Sequence, residues 1–196
     1  GYGIYSNGNL IVNNNTIIAA SANRNYGSAH GIQSNTNSPD NYIYINGNIF
    51  YGDGHNCRGI RLNNDSPNID GDYNGSFNMG NNNDQNLSED DIIDLPGENN
   101  LYMLDDDWEG PYYNVGFVGY PNVGWDDSNH QTEMSFGSAD FHLSSESDCI
   151  DTGIDNSIYN DQDGSRNDMG YYGGTGLALN KITFDFGNAT YIPEEI

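Results

Sequence analysis

The chain has 196 residues, in which 29 Asp and Glu oppose 5 Lys and Arg to give a formal charge of -24. A chain this acidic is repelled by nucleic-acid phosphates and by anionic membrane surfaces, so we expect neither as a partner. No apolar run is long enough to cross a bilayer, whereas 15 Tyr and 7 Phe supply apolar surface that disordered acidic chains lack.

A short motif containing Gly-Ile occurs three times near the start of the chain, at a constant interval of 28 residues: Gly3–Asn7, Gly31–Asn35 and Gly59–Asn63. Self-similarity at a period of this size indicates stacked repeats, each of which buries its apolar side only against its neighbours. The motif therefore predicts parallel strands that lie one above another.

Strand alternation assigns the faces of these motifs. The isoleucines are predicted to form one inward row: Ile4, Ile32 and Ile60. The next residues are predicted to form an outward column: Tyr5, Gln33 and Arg61. The last residues are predicted to form a hydrogen-bonded amide ladder, since an Asn side chain both donates and accepts: Asn7, Asn35 and Asn63.

A second apolar stretch follows each motif, over residues 9–18, 41–50 and 67–73. Aligning these stretches at their polar corner predicts that Val12, Ile45 and Ile69 stack. A second amide ladder is then predicted at Asn13, Asn46 and Asp70, followed two places on by Asn15, Asn48 and Asp72. Further strands are expected over residues 100–104 and 113–118.

A later set of motifs carries a resemblance to a known family. The segment Asp140–Gly153 is preceded by Gly116–Pro121 and followed by Asp161–Arg166 and Asp168–Gly173. With the repeats, these motifs resemble the right-handed parallel β-helix superfamily, which includes pectate-lyase-like enzymes, phage tailspikes and bacterial surface proteins. The resemblance implies an all-β fold and the C-terminal end of a secreted bacterial protein of this kind.

The expected organisation has three parts. Residues 1–75 form three coils of the β-helix, residues 76–139 form a loop-rich continuation, and residues 140–196 form a closing motif with a terminal strand or tail, as an irregular cap. The two cysteines, Cys57 and Cys149, each precede an Ile-bearing segment. They suit small buried residues, and a disulfide between them stays open because spacing does not show proximity.

Calcium is the expected ligand, at two acidic segments. Asp70, Asp72 and Asn74 offer oxygen atoms at alternate positions, as at the start of a calcium loop, although the twelfth position lacks the acid of an EF-hand. Asp161 and Asp163, with Asp168 nearby, form the second candidate. At both segments the alternative is structural: Asp70 and Asp72 would continue the ladder, and the Asp-Gly pair would form a turn.

The outward face of the motifs offers another candidate site. Tyr2, Tyr5, Gln33 and Arg61 are candidates for glycan binding. Polysaccharide lyases of the resembling fold need a cation to neutralise a uronate and a group to move protons, so the catalytic candidates of an enzyme would be Tyr5, His30, Arg58 and Arg61. An ordinary exposed strand face is the structural alternative.

The sequence favours a non-catalytic, extracellular or cell-surface protein with a structural or adhesive role, in which calcium and glycans are expected ligands. No polar cap precedes Gly3, so further coils or another subunit are expected to cover that end. A subunit there would build a head-to-tail filament. The alternatives are a polysaccharide lyase or glycoside hydrolase, and a tailspike-like glycan binder that forms a trimer.

Overall fold

The computed structural model describes residues 2–21, 29–35, 38, 40–54, 57–62, 68–77, 95–102, 113–126, 131–135 and 137–174. Within these residues the protein is all-β, and the helical structure described is one short 3-10 helix, Ser157–Tyr159, with no α-helix. The strands of the repeat region are β1 Tyr2–Ser6, β2 Leu10–Asn13, β3 Thr16–Ser21, β4 Ala29–Ser34, β5 Ile43–Asn46, β6 Ile49–Gly54, β7 Cys57–Leu62, β8 Ile69–Asp70, β9 Gly75–Phe77 and β10 Leu101–Tyr102.

These strands form three parallel sheets that the chain visits in turn. Sheet A has the order β1-β4-β7, sheet B the order β2-β5-β8, and sheet C the order β3-β6-β9-β10. Each pass through the sheets makes one level: β1–β3 form the first level, β4–β6 the second, β7–β9 the third, and residues 95–102 the described part of a fourth. The predicted all-β fold with parallel strands is confirmed, and this arrangement is compatible with a β-helix.

The predicted inward row of isoleucines is confirmed. Ile4 pairs with Ile32, and Ile32 pairs with Ile60. Ile32 and Ile60 are fully buried, and Ile4 packs against the same cluster. This inner core joins side chains from all three sheets: Val12, Ala19, Ala29, Ile32, Ile43, Ile45, Phe50, Cys57, Ile60 and Leu95.

The glycine of the repeated motif is required by close packing. A Cβ atom on Gly31 would lie 2.6 Å from the carbonyl oxygen of Gly59 and 3.2 Å from the Phe50 ring. A contact of that kind with backbone forces the strands to shift, so only glycine fits without strain. The aromatic ring of Phe50 fills the volume that the absent side chains leave.

The predicted alignment of the third level is wrong by two residues. Ile69 lies opposite Ile43, and Asp70 lies opposite Tyr44. The residue at the level of Asn46 is Asp72, whose main-chain N–H donates to the Asn46 side chain at 2.7 Å. The sequence alignment pairs the Asp70-x-Asp72 pattern with Asn46-x-Asn48, but the chain of the third level reaches the corner two residues later.

The corner between sheets B and C holds a continuous amide ladder of four residues: Asn15, Asn48, Asn74 and Asn100. At each step the main-chain N–H and the side-chain amide of one Asn donate to the Oδ1 of the next, at 3.0–3.2 Å. Asn48 and Asn74 are fully buried. The ladder therefore satisfies main-chain groups that the corner removes from the sheets.

The residue before each of the first three ladder positions adopts a left-handed backbone conformation. Asn14, Gly47 and Tyr73 have φ values of 54°, 70° and 57°. This conformation suits Gly and Asn and costs other residues about 1–2 kcal/mol. The corner therefore explains the Asn-Gly-Asn and Asn-Asn-Asn sequences around Gly47 and Asn14.

The C-terminal part begins with an antiparallel arrangement: β11 Phe117–Gly119 pairs with β14 Asp140–Leu143, and β12 Asn122–Asp126 pairs with β13 Gln131–Ser135. The strand β11 overlaps the predicted segment 113–118, and β10 falls within the predicted segment 100–104. The pairing of β11 with the closing motif was not predicted. The tail after residue 174 lies outside the described residues.

A second hydrophobic core joins this C-terminal part to the flank of sheet C. Its buried members are Ile49, Phe77, Val115, Phe117, Cys149 and Met169. The main-chain N–H of Gly170 donates to the Gly47 carbonyl at 2.7 Å, and that of Tyr171 donates to the Thr16 hydroxyl at 3.1 Å. These contacts lie along the side of the first and second levels, so the closing motif packs beside the levels.

The two cysteines lie in different cores, and no disulfide joins them. Cys57 belongs to the inner core and Cys149 to the second core, and both are buried. Burial raises the pKa of Cys149 to about 12. The disulfide that the sequence left open is therefore absent, and both residues act as small apolar side chains.

Candidate functional site

Sheet A aligns the polar residues of the repeated motifs into two neighbouring columns. One column contains Tyr5, Gln33 and Arg61, as predicted. The other contains Tyr2, His30 and Arg58. The sheet register thus brings the glycan-binding and catalytic candidates together on one sheet.

The two columns are less exposed than the predicted outward orientation implied. Tyr5 is 50% exposed and Arg61 is exposed, but Gln33 is only 5% exposed and His30 only 3%. The side-chain amide of Gln33 donates to Asn35, and that of Asn35 donates to the Tyr5 hydroxyl at 2.7 Å. The Oε1 atom of Gln33 is buried and accepts no hydrogen bond from the described residues.

The amide ladder predicted at Asn7, Asn35 and Asn63 is described only in part. Asn63 lies outside the described residues, and Asn7 is exposed. The main-chain N–H of Asn35 donates to the Ser6 carbonyl at 2.9 Å. The side chain of Asn35 thus takes part in the hydrogen bonds of the Tyr5 column.

The environment of His30 holds its imidazole neutral. Burial, the Arg61 charge and the Arg58 charge lower the pKa of His30 from 6.5 to about 4. A neutral imidazole can accept a proton or a hydrogen bond, and guanidinium groups bind carboxylates. This cluster has the residue types for binding an anionic group beside a proton acceptor.

The His30 pKa predicts a loss of stability in acid. Its folded value is below the unfolded value, so the unfolded chain gains a proton first as the pH falls below 6.5. The loss reaches about 3 kcal/mol at pH 4, at 1.36 kcal/mol per pKa unit. We expect His30→Gln to remove this loss, as measured by denaturant unfolding of both proteins between pH 7 and pH 4. Equal pH dependence in the two proteins would contradict the assigned pKa.

The first predicted metal segment is used by the corner between sheets B and C. Asp70 is exposed. The carboxylate of Asp72 accepts hydrogen bonds from the main-chain N–H groups of Tyr73 and Asn99 and from the Asn99 side chain. The Oδ1 of Asn74 accepts both ladder bonds from Asn48. A cation at this segment would have to displace these hydrogen bonds.

The second predicted segment contributes one residue to a carboxylate cluster. Asp161 lies with Asp151 and Asp168, and their carboxylate oxygens are within 4.8 Å of one another. Burial raises the pKa of Asp161 and of Asp168, and the charges of Asp151 and Asp163 add to both shifts. The charge of Asp161 adds to the shift of Asp168 as well. Asp163 is not a member of this group of three carboxylates. Its carboxylate accepts hydrogen bonds from the main-chain N–H and the hydroxyl of Ser165.

The path of the chain explains why the sequence alone does not predict Asp151 as a member of the cluster. Its main-chain N–H donates to the Asp168 carboxylate at 2.9 Å, and the Gly153 N–H donates to the Asn167 carbonyl at 2.8 Å. These bonds fold residues 151–153 against residues 167–168. No short motif marks a contact between residues so far apart along the chain.

Oxygen ligands are what calcium prefers, so the cluster has the donor type for the expected ion, and calcium here stays a prediction. We expect calcium to raise the melting temperature above its value in chelator. In chelator, the Asp168→Asn variant should melt at a higher temperature than the wild type, because the substitution removes one repelling charge. The amide oxygen of the new side chain can still accept the hydrogen bond from the Asp151 main-chain N–H. The variant should then lose the calcium response, whereas Asp163→Asn should keep it. Identical melting curves with and without calcium would contradict this prediction.

No family model, curated protein or solved structure matches the chain. Among the described residues, no helix has the length and apolar character needed to cross a membrane.

Proposed function

We propose that this protein is a right-handed parallel β-helix with a non-catalytic, structural or adhesive role outside the cell, and that it associates end to end into a fibre. One observation supports the proposal above the others. In the described residues, the strands of the first level (β1, β2 and β3) are all edge strands, and they lie at the same end of the three sheets. Edges of this kind recruit further strands, which a second copy would supply in a fibre and preceding coils would supply in a longer chain.

The charge and the surface of the protein fit an extracellular setting. Calcium at the Asp151, Asp161 and Asp168 cluster would reduce the self-repulsion of a chain with a formal charge of -24. Exposed tyrosines offer faces for stacking against sugars, and they include Tyr5, Tyr44, Tyr120, Tyr171 and Tyr172. An adhesive role would use such faces along a fibre.

The test is the size of the purified chain in solution. Sedimentation velocity over a range of concentrations, with negative-stain imaging of the same samples, should reveal species that grow with concentration and fibres of constant width. A monomer at every concentration would exclude fibre formation. A closed trimer would favour the tailspike-like alternative.

A second candidate function is a polysaccharide lyase or glycoside hydrolase. The observation that favours it is the neutral His30 beside Arg58 and Arg61 on sheet A. Such a site could bind a uronate carboxylate and accept a proton. Screening acidic polysaccharides for unsaturated products, with and without calcium, tests this function. Activity that His30→Ala and Arg61→Ala both abolish would establish it over the structural role.

A further inference from the structure

The C-terminal part of the chain meets the stack at one recurring feature, the left-handed residue at the corner of each level. These residues are Asn14 in the first level, Gly47 in the second and Tyr73 in the third. Each lies between sheets B and C, directly before a residue of the amide ladder. We call residues 153–174 of the closing motif the strap.

Hydrogen bonds hold the strap to the corners of the first two levels. The side-chain amide of Asn167, which is fully buried, donates to the Asn14 Oδ1 at 3.4 Å. The main-chain N–H of Gly170 donates to the Gly47 carbonyl at 2.7 Å. Two strap residues that are three positions apart therefore bind corner residues of two different levels.

A cationic side chain extends the strap to the corner of the third level. The guanidinium carbon of Arg166 lies 4.9 Å from the centre of the Tyr73 ring, which is a cation–π contact. The same guanidinium donates to the Gly153 carbonyl at 2.8 Å and to the Thr152 carbonyl at 3.3 Å. Arg166 is thus anchored to the main chain of the closing motif, and residues 166–170 together contact three successive levels.

This arrangement differs from that of a simple stack of repeats. In a simple stack each repeat contacts only its neighbours, so levels can open one at a time. Here the segment that binds Asn14 in the first level also contacts Tyr73 in the third, two levels away. Met169, in the middle of this segment, is fully buried in the second core. The first and third levels are therefore connected through the strap as well as through the second level.

We infer that the strap couples the three levels, so that their corners open together and not one level at a time. Proteases cut segments that open locally, so coupled opening protects the stack from proteolysis. The strap acts within a single copy of the chain, so this role is independent of the proposed fibre.

Native-state hydrogen exchange tests the coupling, with one main-chain amide as the probe of each level. The probes are the N–H groups of Asn15, Asn48 and Asn74, each of which donates to the ladder Oδ1 of the level after it. In the wild type the three probes should share one opening free energy and one dependence on denaturant. Opening free energies that rise or fall from level to level in the wild type would overturn the inference.

Gly170→Ala removes the strap from the first two levels. Gly170 has a φ of 87°, and its Cβ would lie 2.7 Å from the Ile49 Cδ1 and 2.8 Å from the Thr16 Oγ1. The matched control is Gly164→Ala in the same strap. Gly164 has a φ of 89°, but its Cβ would meet no atom within 4 Å. Both substitutions carry the cost of a left-handed alanine, so the difference between them reports the docking of the strap.

The variant and its control predict different patterns of exchange. In Gly170→Ala, the Asn15 amide should exchange at least about tenfold faster than the Asn74 amide, as expected for the loss of one hydrogen bond. In Gly164→Ala, all three probes should still exchange together. Equal acceleration of the three probes in Gly170→Ala would show that the stack alone couples the levels, which would overturn the role of the strap.

Arg166→Gln releases the strap at the other end of the contact. It removes the charge over the Tyr73 ring and leaves the main-chain N–H of Gly170 in place. The order should then be reversed, with the Asn74 amide exchanging at least about tenfold faster than the Asn15 amide. This variant decides the question even if Gly170→Ala does not fold. The same exchange rate at Asn15 and Asn74 in Arg166→Gln would contradict the coupling.

Discussion

Asn48→Ala is expected to lower the free energy of unfolding by about 3–5 kcal/mol, since each buried polar group left without a partner costs about 1–3 kcal/mol. The Asn48 side chain donates to the Val12 carbonyl at 2.7 Å, to the Asn46 carbonyl at 3.1 Å and to the Asn74 Oδ1 at 3.0 Å. It also accepts from the main chain and side chain of Asn15. Alanine leaves all of these groups without that partner.

The matched control is Asn7→Ala. Asn7 is exposed at a turn of the first level and takes no part in the ladder of Asn48. Its replacement should change the free energy of unfolding by less than about 0.5 kcal/mol. Equilibrium urea unfolding measures both variants. Equal effects of Asn48→Ala and Asn7→Ala would show that the ladder does not hold the corner together.

Gly47→Ala is expected to destabilise the fold by roughly 2–4 kcal/mol, because the left-handed backbone itself costs about 1–2 kcal/mol and steric overlap adds to it. Gly47 has a φ of 70°. An added Cβ would overlap the Asn14 Oδ1 and lie 3.2 Å from Ile154 of the C-terminal part. The substitution therefore strains the corner and its contact with Ile154 of the C-terminal part.

Gly8→Ala serves as its control, because a Cβ at Gly8 meets no atom within 4 Å. Alanine there restricts the unfolded chain, so a small gain or no change is expected. Thermal unfolding followed by circular dichroism compares the two. If Gly47→Ala melted at the wild-type temperature, the left-handed corner described here would be wrong.

Periodicity was sufficient to predict the sheets and the inner row. The Gly-Ile motif repeats without insertion, so a constant interval placed Ile4, Ile32 and Ile60 correctly. The constant interval brings the same motif to the same position of sheet A at each level. The loops between the strands differ in length from one repeat to the next, and these differences leave the pairing of the strands unchanged.

The third level shows where periodicity fails. The asparagine that continues the ladder after Asn48 is Asn74, 26 residues later, whereas Asn48 itself lies 33 residues after Asn15. A shorter third level places Asp72 where the alignment expected Asp70. Aspartate resembles asparagine in size and in its acceptor atoms, so side-chain type alone did not reveal the shift. The hydrogen-bond pattern resolves it, because only an amide both donates and accepts along a ladder.

The residue types of the candidate sites could be predicted from the sequence. The burial of these residues and the side chains that surround them could be predicted less well. In the sheet register, His30 pairs with Arg58 and Gln33 pairs with Arg61, as the spacing of the motifs predicted. Strand alternation does not determine the burial of His30 and Gln33, whose side chains are 3% and 5% exposed. The cluster of Asp151 with Asp161 and Asp168 depends on a chain reversal stabilised by main-chain bonds. Sequence spacing carries no signal for such a reversal.

The C-terminal motifs predicted the presence of a closing segment but not its position. Its docking depends on apolar residues on the outer side of sheet C, such as Ile49 and Phe77, which meet Val115, Phe117 and Met169. Both sides of sheet C are therefore apolar at the second level, where Phe50 faces the inner core and Ile49 the second core. That run of apolar residues was a signal for burial on both faces.

Cysteine cross-linking across neighbouring levels tests the central claim, that equivalent residues of successive levels lie directly over one another. Ile11 pairs with Tyr44, and Tyr44 pairs with Asp70. Adjacent strands lie about 4.8 Å apart, which is within the Cα separation of about 4.4–6.8 Å that a disulfide spans. Strands two levels apart, about 10 Å, are beyond it.

The measurement is the fraction of intramolecular disulfide in oxidised monomer, read by mass spectrometry of three double variants. Ile11→Cys with Tyr44→Cys, and Tyr44→Cys with Asp70→Cys, should cross-link readily, and Ile11→Cys with Asp70→Cys should not. A fourth double variant, Asn46→Cys with Asp70→Cys, that cross-linked more readily than Tyr44→Cys with Asp70→Cys would contradict the register of the third level. Absence of the bond between positions 11 and 44 would contradict the stacking itself.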